Sequence, residues 1–232
     1  MKALIAAAAL STGLLVSSMA HATVLVDEDF TGATISQATL TPTQNLNMWL
    51  DLPTGTARYG ITSGAECVAP CDGDYARHLN PPTGDHTNLL YYGISSAVVP
   101  AGATQLQLTF DFIKQEPPTT DGTAYILGLT AAGSVSPFAP WFSGPDVQVL
   151  ASLSLYSDVW TSSTPMIADL DGKYAAYAIA FQMRGTAADG GVRGIDNVNL
   201  QAIPEPMTLA LLGAGLGFLG FAATRRRALA EA

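Results

Sequence analysis

Cys67 and Cys71, in AECVAPCDGD, are the only cysteines of the chain. Thiols four positions apart can form a disulfide, half of a zinc site or a redox pair. Zinc would need two further ligands, and there is no second cysteine pair. His78 and His86 do not build H-E-x-x-H or another recognisable zinc set. An even cysteine count, Pro70 and the Asp72-Gly73 turn favour a stapled loop instead. A bridge closing so short a loop contributes about 2 kcal/mol. Asp72-Gly73-Asp74 lacks the spacing and the closing Glu of an EF-hand calcium loop.

Recognisable catalytic patterns are missing. Gly93-Ile94-Ser95-Ser96-Ala97 lacks the last glycine of a nucleophile elbow. Gly215 to Gly220 matches G-x-G-x-x-G. No strand–helix–strand unit surrounds it, and no ribose-binding acid follows about 20 residues on. Carboxylate pairs for glycoside hydrolysis are defined by their distance in space, so 17 central acids single out no pair.

These residues sit between two addressing segments. MKALIAAAALSTGLLVSSMAHA has Lys2, an apolar run from Ala3 to Val16, and an Ala20-His21-Ala22 cleavage site. It is a secretory signal peptide over 1–22, and His21 leaves with it. Export puts the cysteines in an oxidising compartment, which favours the Cys67–Cys71 bridge. The region 23–202 is one domain of ordinary size. Six basic residues oppose 17 acidic ones between 23 and 203, a charge near −11. That surface repels nucleic acid and anionic membranes and attracts cations.

The centre reads as strands. In TQLQLTFDFI, Leu106, Leu108, Phe110 and Phe112 face one way, and Gln105, Gln107, Thr109 and Asp111 the other. YAAYAIAFQM puts Tyr177, Ile179, Phe181 and Met183 on one side, as expected of a sheet with one buried face. Val24–Phe30, Leu89–Gly93, Thr123–Thr130, Val147–Tyr156 and Val192–Leu200 are further strands. Turns at Pro53-Thr54-Gly55, Gly144-Pro145-Asp146 and Asp189-Gly190-Gly191 separate them. Residues 31–57, rich in Thr, Gln and Asn, are expected to form a long loop or irregular edge. The predicted fold is all-β, a two-sheet antiparallel sandwich.

DEDF (Asp27–Phe30), AGATQLQLTFDF and GIDNVNL (Gly194–Leu200) resemble the jelly-roll modules of secreted bacterial proteins, of the galactose-binding-like and concanavalin-like groups. The resemblance implies a structural calcium where the first and last strands lie together. It maps onto Asp27, Glu28, Asp29 and Asp196, hard oxygen donors of the kind calcium takes. The plain alternative is a solvated strand edge and a turn. Such modules also stack sugars on aromatic rings. Trp141, in the Pro-rich SPFAPWFSGPD, is the candidate for a binding face or for core packing, and Trp160 is assigned to the core.

The back end carries the most specific pattern. Ile203-Pro204-Glu205-Pro206 precedes 17 uncharged residues, Met207 to Ala223, which as a helix would span about 25 Å. Arg225, Arg226 and Arg227 follow, on the cytoplasmic side by the positive-inside rule. This order resembles the PEP-CTERM sorting signal. The resemblance implies Pro204, Glu205 and Pro206 as recognition residues for an exosortase, a membrane protease/transpeptidase. The segment 203–232 would hold the protein in the inner membrane through a single helix until it is processed. A permanent anchor is the alternative. Together these readings predict a non-enzymatic protein of the cell surface or extracellular polysaccharide matrix, with carbohydrate as candidate ligand and no cofactor beyond calcium. The alternative is a secreted glycan-active hydrolase or lyase on the same fold.

Overall fold

The computed structural model describes residues 21–37, 46–53, 58–79, 85–115, 122–130, 146–186 and 191–204. Within them the chain folds into two sheets packed as a β-sandwich, in one compact unit, Thr23–Ile203. Sheet A contains β1 (Thr23–Glu28), β4 (Arg58–Ser63), β5 (Asp74–Leu79), β7 (Ala103–Lys114), β10 (Ser157–Ser162), β11 (Met166–Asp169) and β13 (Arg193–Pro204). Sheet B runs β2 (Ile35–Gln37), β3 (Trp49–Pro53), β6 (Asp85–Ser95), β12 (Ala176–Thr186), β8 (Gly122–Leu129), β9 (Val147–Ser154). Among the described residues the helical content is one 3-10 turn, Ser96–Val98, and no helix is long and apolar enough to cross a membrane. The apolar run Met207 to Ala223 lies outside the described residues.

Period-two alternation explains the core. Leu106, Leu108 and Phe110 of β7 and Val198, Leu200 and Ala202 of β13 point inward from sheet A. They meet Ile179, Phe181 and Met183 of β12 and Ile126 of β8 from sheet B. Trp49 and Trp160 are 3% and 4% exposed, so both are core residues. Their indole N–H groups stay paired: Trp49 Nε1 donates to Glu28 Oε2 at 3.1 Å and Trp160 Nε1 to the Glu66 carbonyl at 2.7 Å. Gly194 is required where it stands. A Cβ there would come within 2.7 Å of the Tyr75 ring and 2.9 Å of Trp160.

Two expectations need correction. Residues 31–57 hold β2 and β3, and β3 pairs with β6 from Trp49↔Tyr92 to Pro53↔Asn88. The Thr/Asn-rich composition masked a strand that packing stabilises. His78 lies in β5, 2% exposed, with its ring 5.5 Å from that of Tyr59, edge-on. Sheet B buries both faces: Leu50, Leu52, Leu89, Tyr91, Leu127, Leu129, Ala176, Ala178 and Ala180 form a second apolar cluster on the side opposite the sandwich core. Tyr91 therefore offers no exposed ring.

Candidate functional site

The first and last strands are neighbours. β1 pairs antiparallel with β13, Asp27 opposite Asn199 and Glu28 opposite Val198. Just beyond β1 the chain turns at Phe30, whose φ of 58° is uncommon for a bulky side chain. The turn is held by its own acids. The Phe30 N–H donates to Glu28 Oε1 and the Thr31 N–H to Asp29 Oδ1, both at 2.9 Å. On β13, Asn197 takes a left-handed φ of 48°, which Asn tolerates. Ile195 and Val198, three apart, both enter the core. The strand is therefore out of strict alternation at Asp196-Asn197.

Asp27, Glu28, Asp29 and Asn197 line an open pocket of about 320 Å³. Asp27 Oδ1 accepts from Asn199 Nδ2 at 3.0 Å, and Glu28 Oε2 accepts the Trp49 indole. Asn197 Nδ2 donates to the Pro70 carbonyl at 3.1 Å and to Asp111 Oδ2 at 2.9 Å. Asn197 was missed in the sequence. It is the residue that tethers the pocket to β7 and to the disulfide loop.

Asp196 lies beside this pocket and not among its described lining residues. It is 0% exposed. Oδ2 accepts from the Asp72 N–H at 3.1 Å, while Oδ1 is buried with no hydrogen-bond partner among the described residues. Burial pushes its carboxyl up to about 6, helped by the negative charges of Asp72 and Asp111 and opposed by the backbone N–H groups of Asn197 and Asp72. A buried carboxylate oxygen without a partner is costly and is a place for a cation.

The loop over Asp196 carries the disulfide. Cys67 and Cys71 are bonded, with their Cα atoms 5.3 Å apart. Their sulfurs and an Asp196 carboxylate oxygen lie within 4.8 Å of one another. The cysteines are engaged with each other, so this grouping is a staple over an acid. The four predicted calcium residues are thus gathered at one end of the β1–β13 pair but divided, three on the open pocket and one beneath the staple. Trp141, Glu205, Pro206 and Arg225 to Arg227 lie outside the described residues, and Pro204 ends β13.

No protein-family model matches this chain, and no curated protein does. Solved structures do. A putative sugar binding protein from Bacteroides thetaiotaomicron VPI-5482 superposes with a TM-score of 0.49 at 12% identity, covering 78% of this chain and 100% of that one. The CBM22-1 xylan-binding domain of Paenibacillus barcinonensis Xyn10C gives 0.44 at 10% identity, over 79% of this chain and 97% of that one. A xylan-binding domain described as CBM 22 gives 0.43 at 9% identity, over 78% and 95%.

Proposed function

We propose that this protein is an exported, non-enzymatic β-sandwich module of the jelly-roll kind, sorted by an exosortase to the cell surface or the extracellular polysaccharide matrix, where it binds polysaccharide. The observation that carries the reading is the extent of the folded unit, Thr23–Ile203. Its first and last strands close on each other, and the two segments read as address signals fall outside it. The disulfide fits an oxidising compartment. The ligand class is supported by the PEP-CTERM-like order of Pro204-Glu205-Pro206, apolar run and three arginines, because that sorting route leads to surface polysaccharide. Affinity electrophoresis of the mature protein through gels containing soluble polysaccharides tests it. Retardation by at least one supports the ligand class, and unretarded migration through all of them removes it.

Processing has its own expected outcome. Intact-mass measurement of protein from the native host should show loss of 1–22 and of the residues after about 206. Surface-associated protein that keeps its arginine-rich tail would overturn exosortase sorting in favour of a permanent anchor.

The β1–β13 junction is proposed as a structural calcium site formed by Asp27, Glu28, Asp29 and Asp196. What supports it is the acid-lined pocket beside the unpartnered Asp196 oxygen. Binding to the folded state alone raises stability by mass action, about 2.7 kcal/mol at a hundredfold excess over Kd. Melting temperature should therefore rise with calcium over chelator in wild type and not in Asp196→Ala. Identical wild-type melts with calcium and with chelator would rule the calcium site out.

A further inference from the structure

The outer face of sheet A is rich in amides, rimmed by acids and held in order. β7 sends Leu106, Leu108 and Phe110 into the core, so alternation turns Gln105, Gln107 and Thr109 outward. β13 does the same with Asn199 and Gln201, between Val198, Leu200 and Ala202. The two strands are neighbours in the sheet, so these rows stand side by side about 5 Å apart.

Gln201 Nε2 donates to Asn199 Oδ1 at 2.7 Å, and Asn199 Nδ2 donates on to Asp27 Oδ1 at 3.0 Å. At the other margin Gln105 Nε2 donates to Asp169 Oδ1 at 2.9 Å. The acids thus sit at the rim and orient the amides between them. Side-chain bonds stop there among the described residues: the Gln107 amide and Thr109 hydroxyl have none, and the Gln201 carbonyl oxygen accepts none. Two exposed aliphatic side chains flank the rows, Ile167 opposite Gln107 and Val24 opposite Gln201, at 52% and 51% exposure.

Primary amides donate and accept at once, as sugar hydroxyls do. The cations of these strands, Lys114 and Arg193, are buried, and Arg77 of the neighbouring β5 is paired with Glu66 at 2.7 Å, so the amide rows themselves present no cation to sulfate, phosphate or uronate. The rim carboxylates repel such groups. The second apolar cluster on sheet B is buried and offers no comparable free surface.

We infer that the outer face of sheet A, centred on Gln107 and Gln201, is a binding surface for a neutral polysaccharide chain. It takes hydroxyl groups on the amides and C–H faces of the sugar rings on Val24 and Ile167. This inference rests on the polysaccharide-binding reading above and assigns it a surface and a charge class.

The test is affinity electrophoresis of the mature protein through gels containing hydroxyethylcellulose, galactomannan, xylan or alginate. Wild type should be retarded by a neutral polymer and not by alginate. The double variant Gln107→Ala/Gln201→Ala should bind that polymer about tenfold more weakly with an unchanged melt. Gln107→Glu, which keeps the size and adds a charge, should weaken it too. Wild-type affinity in both variants, or a preference for alginate, overturns the inference. If Trp141→Ala abolishes retardation while the double variant does not change it, polysaccharide binding stands and this surface is wrong. If no polymer retards wild type, the ligand class itself falls.

Discussion

Phe181→Ala lowers the unfolding free energy by about 3–5 kcal/mol, as expected for truncating a fully buried aromatic ring. Phe181 is 0% exposed at the centre of β12. Its ring meets Phe110 of sheet A edge-on at 4.9 Å and Trp49 of β3 at 6.4 Å. Its carbonyl accepts the Tyr59 hydroxyl across the sandwich at 3.1 Å. That bond holds the backbone in place, so the cavity left by the ring does not collapse readily. In a domain of this size each kcal/mol moves the melting temperature by about 2–4 °C, so the drop should be roughly 10 °C. Tyr156→Ala, at a half-exposed ring, should stay within about 0.5 kcal/mol. Near-UV circular dichroism melts compare the two. A Phe181→Ala loss no larger than that of Tyr156→Ala would mean that the two sheets do not pack through this ring.

Asp196→Asn stabilises the calcium-free protein at pH 7. The folded carboxyl titrates at about 6, above its ordinary value of 3.8, because it is buried. The folded state therefore holds this proton more tightly than the unfolded chain. Below about pH 4 both states are protonated and the residue has no electrostatic cost. As pH rises from 4 to 6 the unfolded chain ionises first and stability is lost. Above 6 the penalty is complete, about 2–3 kcal/mol at 1.36 kcal/mol per unit. Asn keeps the size and the oxygen that accepts the Asp72 N–H. Denaturant unfolding in chelator should show the variant ahead at pH 7 and level with wild type near pH 4. Excess calcium should reverse the order at pH 7, where only wild type gains. A difference between the two that is flat from pH 4 to 7 in chelator would mean that Asp196 is not held against ionisation.

Much of the fold was legible because strands announce themselves by period two. TQLQLTFDFI became β7 and YAAYAIAFQM became β12, each with the expected residues in the core. The even cysteine count and the close spacing of Cys67 and Cys71 pointed to the disulfide that the structure holds. Elements without clean alternation were not legible. β10 and β11 are short edge segments on β7, and WLDLP (β3) carries Asp51 on the same side as core Trp49. Such segments are strands because partners supply their hydrogen bonds and cover, which no local pattern records.

The acidic junction divides the same way. DEDF and GIDNVNL name Asp27, Glu28, Asp29 and Asp196 without structure, since residue type and strand position are local properties. Their environments are not local. The pairing of β1 with β13 brings residues about 170 positions apart to one pocket. The left-handed turn at Asn197 and the loop stapled by Cys67–Cys71 put Asp196 in the interior and leave Asp27 in solvent. Sequence determined which carboxylates are available and that the domain is a β-sandwich. Only tertiary structure decided which carboxylate loses its water, because desolvation depends on what packs over a residue and not on its neighbours in the chain.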